Sequence, residues 1–206
     1  MIRLVKLVVC ASVVTVTLSL FVSVASAGRL SISNQTIRAA WSAMGMTFGS
    51  TGFRCPVTLE GSFHARTFTK VLTTLLGMIT RASINATPCA EAMSEVRWLT
   101  ATLPWPIRYR GFGGTLPRIT FVEVGVIGLA FLMRIGAKGC LYASTTARPA
   151  VFALRLTELG AVSSWVAEIF FPIPLSVDLG GFPPCAAESI IEGAGASEGL
   201  NQILLI

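Results

Sequence analysis

Ile119-Thr-Phe-Val-Glu123-Val-Gly125-Val-Ile-Gly128-Leu-Ala-Phe-Leu-Met133-Arg134-Ile135 is the stretch on which the fold class turns. Ten uncharged residues, Val124 to Met133, lie between Glu123 and Arg134, too few to carry a helix across a hydrocarbon layer about 30 Å thick. Valine, isoleucine and phenylalanine dominate, and two glycines interrupt. Such residues suit a pleated, buried surface, so the stretch predicts two buried strands bending at Gly125 or Gly128.

Working outward, Gly136-Ala-Lys-Gly139 reads as a hairpin loop into Cys140-Leu-Tyr, and Val151–Leu156, Trp165–Phe171, Ser189–Ile191 and Ile203–Ile206 supply further strands. Upstream, Ile107-Arg-Tyr-Arg alternates and Gly111-Phe-Gly-Gly reads as a turn. Val96, Trp98 and Thr100 alternate with Arg97 and Leu99, and Pro56 to Phe63 alternates through Val57 and Leu59. Residues 28–54, punctuated by Ser, Thr and Gly, read as an irregular lead-in with one short strand. Val71, Leu72, Leu75, Leu76 and Ile79 fall at helical spacing and predict one helix over Arg66–Gly77, although four threonines there lose rotamer freedom in a helix. Eight to ten short strands and one short helix predict a mainly β fold, an antiparallel sandwich or barrel. Ile169 to Phe182 is apolar but holds Pro172, Pro174 and Asp178, which argues against a spanning helix.

The N-terminus has a different character. Arg3 and Lys6 precede the uncharged run Leu7–Val24, and Ala25-Ser-Ala27 follows before Gly28. This order is that of a secretory signal peptide, predicting a leader over 1–27 and one exported domain over 28–206; the competing reading is a retained membrane anchor. Cys10 leaves with the leader, and no transmembrane span is expected after it. The chain is 53% hydrophobic and 13% charged, with mean hydropathy +0.72, which excludes disorder as a whole. Cys55, Cys89, Cys140 and Cys185 remain, an even number in an exported context, and predict two disulfides with three possible pairings. Shorter loops favour Cys55–Cys89 and Cys140–Cys185. With one histidine and no Cys-x-x-Cys, zinc is not expected, and no acidic loop suits calcium. Residues 28–155 carry 14 bases against four acids, whereas 156–206 hold six acids and no base. Mutual neutralisation across the fold is the expected outcome.

Cys55-Pro-Val-Thr-Leu-Glu-Gly-Ser-Phe-His, Leu103-Pro-Trp-Pro-Ile-Arg-Tyr, Gly114-Thr-Leu-Pro and Cys140-Leu-Tyr resemble segments of an uncharacterised family of secreted bacterial β-rich proteins, over about residues 53–145. The resemblance implies export and structural roles for Cys55 and Cys140. It implies no reaction and no ligand.

Chemistry is sparse. A Ser-His-Asp arrangement would rest on His64 and Asp178, without a Gly-x-Ser-x-Gly turn. Glu60, Glu123, Glu158 and Glu168 are the candidates for a carboxylate pair, Glu123 because it interrupts an apolar strand. Gly193-Ala-Gly-Ala-Ser-Glu-Gly199 lacks the spacing and following helix of a phosphate-binding loop and reads as a plain loop. No cofactor and no nucleic-acid partner are expected. The strongest cluster is Arg108, Tyr109, Arg110 and Phe112, helped by Trp105: on a strand the two arginines share one face and suit phosphate or carboxylate groups. The expectation is therefore a non-enzymatic secreted or envelope-associated domain that binds an anionic or amphiphilic envelope component, polymer or lipid surface, or another protein. The alternative is a small secreted hydrolase acting on cell-wall or sugar substrates.

Overall fold

Phe53, Cys55, Val57 and Leu59 are buried while Arg54 is exposed and Thr58 and Glu60 lie half-exposed between them, and this two-residue rhythm recurs strand after strand. The computed structural model describes residues 28–48, 51–85, 89, 94–115, 118–135, 138–171, 189–198 and 202–205. Its strands are β1 (Arg29–Ile32), β2 (Thr36–Phe48), β3 (Thr51–Phe63), β4 (Thr67–Thr69), β5 (Leu75–Ile84), β6 (Ser94–Trp98), β7 (Trp105–Thr115), β8 (Arg118–Val126), β9 (Ala130–Ile135), β10 (Lys138–Ala143), β11 (Ala150–Leu156), β12 (Val162–Phe171), β13 (Ser189–Glu198) and β14 (Ile203–Leu205).

Eight of them close a barrel in the order β11-β12-β13-β2-β3-β5-β7-β8, every pair antiparallel. Staves adjacent in sequence are adjacent in space, and β13 pairs with β2 to remove the open edge. The remaining strands form two small sheets. β14-β1-β4 lies at the end where the chain enters at Gly28, and β10-β9-β6, inserted between staves, lies at the other. Both bury apolar faces in the barrel's own core: Leu30, Ile32, Phe68 and Ile203 from the first, Val96, Trp98, Phe131, Met133 and Tyr142 from the second.

Side chains fill the interior. Phe152 lies between Trp41 and Trp165, ring centroids 5.9 and 6.1 Å away, and Trp98 meets Trp105 and Phe131 edge-on at 5.6 and 5.8 Å. Outside, the staves carry Arg38, Arg54, Glu60, Arg81, Arg110, Glu123, Arg155 and Glu192. A lipid-facing barrel needs the reverse, an apolar band outside, and a charge at mid-membrane there costs about 2–4 kcal/mol. The described staves carry charge on that surface instead. No helix among the described residues is long and apolar enough to cross a membrane.

The mainly β class and the barrel follow the sequence; several local expectations do not. The helix over Arg66–Gly77 is absent: β4, a turn at 71–74 and the start of β5 occupy it. Val71 and Leu72, needed for an apolar helix stripe, are 62% and 65% exposed. Thr73 takes φ +66°, and its N–H donates to the Tyr109 carbonyl at 2.8 Å, so the backbone is satisfied across to β7 rather than along a helix. Residues 28–54 are not an irregular lead-in but β1, β2 and the start of β3. Ile37, Ala39 and Trp41 face inward, then Met44 and Met46, because a bulge at Ser42–Ala43 flips the phase and hides the alternation.

Gly111–Gly114 is no turn either but the end of β7, and the Phe121 ring covers Gly113 where a Cβ would stand. The Gly193–Gly199 segment, read as a loop, is largely β13. It faces the β2 bulge, where its register with β2 shifts after Glu192; the Trp41 ring lies 2.6 Å from where a Gly195 Cβ would be, and Trp41 Nε1–H donates to the Gly193 carbonyl at 3.3 Å. The break between β8 and β9 does fall at Gly128, with φ +78°.

Cys55 and Cys89 form a disulfide, Cα atoms 4.6 Å apart, tying the connection after β5 to β3. Cys140 is also disulfide-bonded; Cys185 lies outside the described residues.

Candidate functional site

The arginine cluster expected from sequence is split by the barrel wall. Along β7, Trp105, Ile107 and Tyr109 point inward and are at most 3% exposed, so Trp105 and Tyr109 belong to the core. Trp105 Nε1–H is occupied by Thr102 Oγ1 at 2.8 Å. Burial raises the Tyr109 phenol above its ordinary value of 10.0. Arg108 lies outward, in register with Gly125, whereas Gly111 pairs with Glu123, which leaves Arg110 as the extra residue of a bulge. That bulge returns Phe112 to the inward phase opposite Val122, where it is half-buried against the core under Lys70 Nζ, 5.3 Å from its ring centroid.

On the outer wall the two arginines do come together. Gly125 leaves a dent, and the Arg110 stem and Pro149 fill it: Arg110 Cδ and Pro149 Cβ lie 3.1 and 3.0 Å from where a Gly125 Cβ would be. Arg108 Nη1 donates to the Thr73 carbonyl at 2.8 Å and so grips the turn that exposes Val71 and Leu72. Its Nε–H is buried and meets no acceptor among the described residues, so its donors are only partly used. Arg110 is exposed. The result is a rigid face carrying Arg108 and Arg110, with Lys70 and two exposed aliphatic side chains at its rim. Sequence reasoning missed Lys70, Val71 and Leu72 by assigning them to a helix; Thr67, Thr69, Thr73 and Thr74 were the signal against it.

Candidates for chemistry are dispersed. His64 is exposed just past β3, its backbone N–H bonded to the Leu76 carbonyl, and Asp178 lies outside the described residues. Glu60 accepts from Arg81 at 3.0 Å and lies 3.7 Å from Arg38. Glu123 is half-buried on the outer wall of β8, separated from Glu60 by β5 and β7, and Glu158 is exposed in the β11–β12 turn. Side chains on the outside of a closed barrel diverge, and these carboxylates do not flank a common cleft. Glu168 lies on β12 in register with Glu192 on β13. No three His, Cys, Asp or Glu side chains gather as metal ligands among the described residues.

Among the described residues the outer surface includes three shallow grooves. One of about 400 Å³ runs over Gly45 between Arg54 and Glu192, and one of about 540 Å³ follows the Arg38–Glu60–Arg81 ion pairs. The third, about 600 Å³, opens between Arg118, Thr120, Glu158, Leu159 and Leu204 at the barrel end that holds Gly28.

The acidic section, expected to neutralise the basic body, lies on one side of the barrel wall. It contributes β12 and β13, and β13 stands opposite β7 across the barrel. Arg38 is in register between Glu198 and Glu60, while Arg108 and Arg110 lie on the far wall. Comparison of the chain with known families, with curated proteins and with solved structures finds no match.

Proposed function

We propose that the chain is an exported, non-enzymatic binding barrel that engages an anionic component of the cell envelope through the outer wall of β7. The observation that carries this reading is the pairing of Arg108, held by Thr73, with exposed Arg110 on one rigid face. Guanidinium groups fixed in this way suit phosphate and carboxylate oxygens and lose little entropy on binding them. The filled interior supports surface binding over a ligand held inside the barrel. Export is supported by the basic, apolar, small-residue order of the first 27 residues.

Titration of the exported protein with polyphosphate, a soluble polyanion, tests the reading. Binding should weaken steeply as salt rises past about 0.15 M, where the screening length is roughly 8 Å. Arg110→Ala should lower affinity several-fold without unfolding the barrel, because its side chain is exposed. Arg108→Lys, which keeps charge but loses the planar fork, should fall between the two. Salt-independent binding, or an Arg110→Ala variant that binds as the parent does, overturns the reading.

A further inference from the structure

Antiparallel staves bring many separate segments to one end of the barrel. The chain enters there at Gly28; β3 hands over to β5 there through residues 64–74, β7 to β8, and β11 to β12 through the turn at 157–161; and β14 lies there too. Five of the six exposed large hydrophobic side chains among the described residues sit at this end: Val71, Leu72, Leu75, Leu159 and Leu204. The sixth, Ile190, begins β13 at the other.

The apolar residues are not scattered. Leu159 and Leu204 line one groove with Arg118. On the other side of β1, the Lys70 N–H reaches the Gly28 carbonyl at 3.4 Å, placing the Val71–Leu72 turn beside the chain entry, and Ser31 of β1 is in register with Leu204 and Thr67. Arg29 on β1, Arg66 and Lys70 in the β3–β5 connection and Arg118 at the start of β8 lie at the same end, with Glu158 in the β11–β12 turn and Glu60, ion-paired with Arg38, near the close of β3. Leucines on turn tips with arginines and a lysine around them match a bilayer boundary, where aliphatic groups enter the acyl region and cations meet lipid phosphates. The sequence ahead of Gly28 points the same way: the apolar run Leu7–Val24 ends four residues before this end of the barrel.

We infer that the Gly28 end of the barrel docks on an anionic phospholipid surface, with Leu72, Leu159 and Leu204 entering it and Arg29, Arg66, Lys70 and Arg118 contacting the headgroups. The inference rests on the reading of an exported anion-binding barrel and assigns it a partner. Binding should be shallow and reversible, since a few aliphatic side chains and screened charges act together.

Hydrogen exchange of the full exported protein, alone and with vesicles of phosphatidylcholine with or without phosphatidylglycerol, tests it. Vesicles containing phosphatidylglycerol should slow exchange in peptides covering 66–76, 157–161 and 203–205, but not 94–98 or 130–143. Leu159→Ser combined with Leu204→Ser, both at exposed sites away from the β7 arginine face, should weaken vesicle binding about tenfold and leave polyphosphate binding unchanged. Four results overturn the inference: no protection, protection at the opposite end, protection that grows with protein concentration without lipid and so reports a second copy, or undiminished vesicle binding by the double variant. Polyphosphate binding without vesicle protection overturns the membrane inference alone. Vesicle protection without polyphosphate binding leaves the docking end standing and removes the β7 arginine face.

Discussion

Gly160 and Gly128 both adopt left-handed backbone conformations, φ +75° and +78°, yet their surroundings differ. A Cβ on Gly160 would lie 2.7 Å from the Ile203 carbonyl oxygen, in a turn closed by the Gly160 N–H on the Thr157 carbonyl at 2.9 Å and by the Ile203 N–H on the Gly160 carbonyl at 2.8 Å. At Gly128 the nearest atom is Trp105 Cδ1 at 3.6 Å, an ordinary contact. Gly128→Ala should therefore cost about 1 kcal/mol, the conformational term alone, and Gly160→Ala about 2–3 kcal/mol because the β14 backbone must also shift. Urea midpoints at constant m-value measure the difference. Gly128 was one of the two bend positions legible in the sequence, whereas Gly160 fell unnamed between the strands ending at Leu156 and starting at Trp165. Which one a carbonyl crowds depends on β14, more than forty residues from Gly160 in the chain.

Bulges limit how well the strands read from sequence. β2 and β7 carry bulges that move the inward set by one position, from Trp41 to Met44 and from Tyr109 to Phe112. β8 and β11 keep their phase in the barrel interior, and there the alternation was legible. The Cys55–Cys89 bridge also acts at this scale. It closes a sequence separation of 34 residues around β5, and removing it with Cys55→Ser and Cys89→Ser should cost about 3–4 kcal/mol through the looser unfolded chain. Denaturant unfolding of the oxidised parent and the double variant gives the value; a loss under about 1 kcal/mol would mean that the unfolded chain gains little freedom.

Across the whole molecule, the filled core sets an alkaline limit. Tyr109 within the barrel and Tyr142 beneath the β6-β9-β10 sheet, stacked on Phe131 at 5.3 Å, are the chain's two tyrosines, and burial raises both phenols above 10.0. The folded state holds these protons more tightly than the unfolded chain does. Their contribution to stability is thus fully present below about pH 10, where unfolded tyrosine titrates, and is lost as pH rises through the folded values. Stability measured against pH should fall above that point, less steeply in Tyr109→Phe and Tyr142→Phe. Tyrosinate absorbance should show both groups ionising late or together with unfolding.

Read without tertiary information, the chain determined its own class. β-branched apolar runs too short to span a membrane, broken by glycine and proline, leave strands as the way to bury them, and the cysteine spacing favoured the bridge that forms. Alternation also placed Arg108 and Arg110 on one face, because a strand's period is a local property. Closure of eight staves into a barrel rather than a sandwich required β13 to find β2 across the length of the domain, a pairing that no local pattern encodes. The same closure drew Val71 and Leu72 out of a helix, since the Thr73 and Tyr109 backbone groups satisfy each other only when β5 and β7 are neighbours. It also gathered Gly28, Leu72, Arg118, Leu159 and Leu204, remote in sequence, at one end, because antiparallel staves return the chain to the same rim at every second turn.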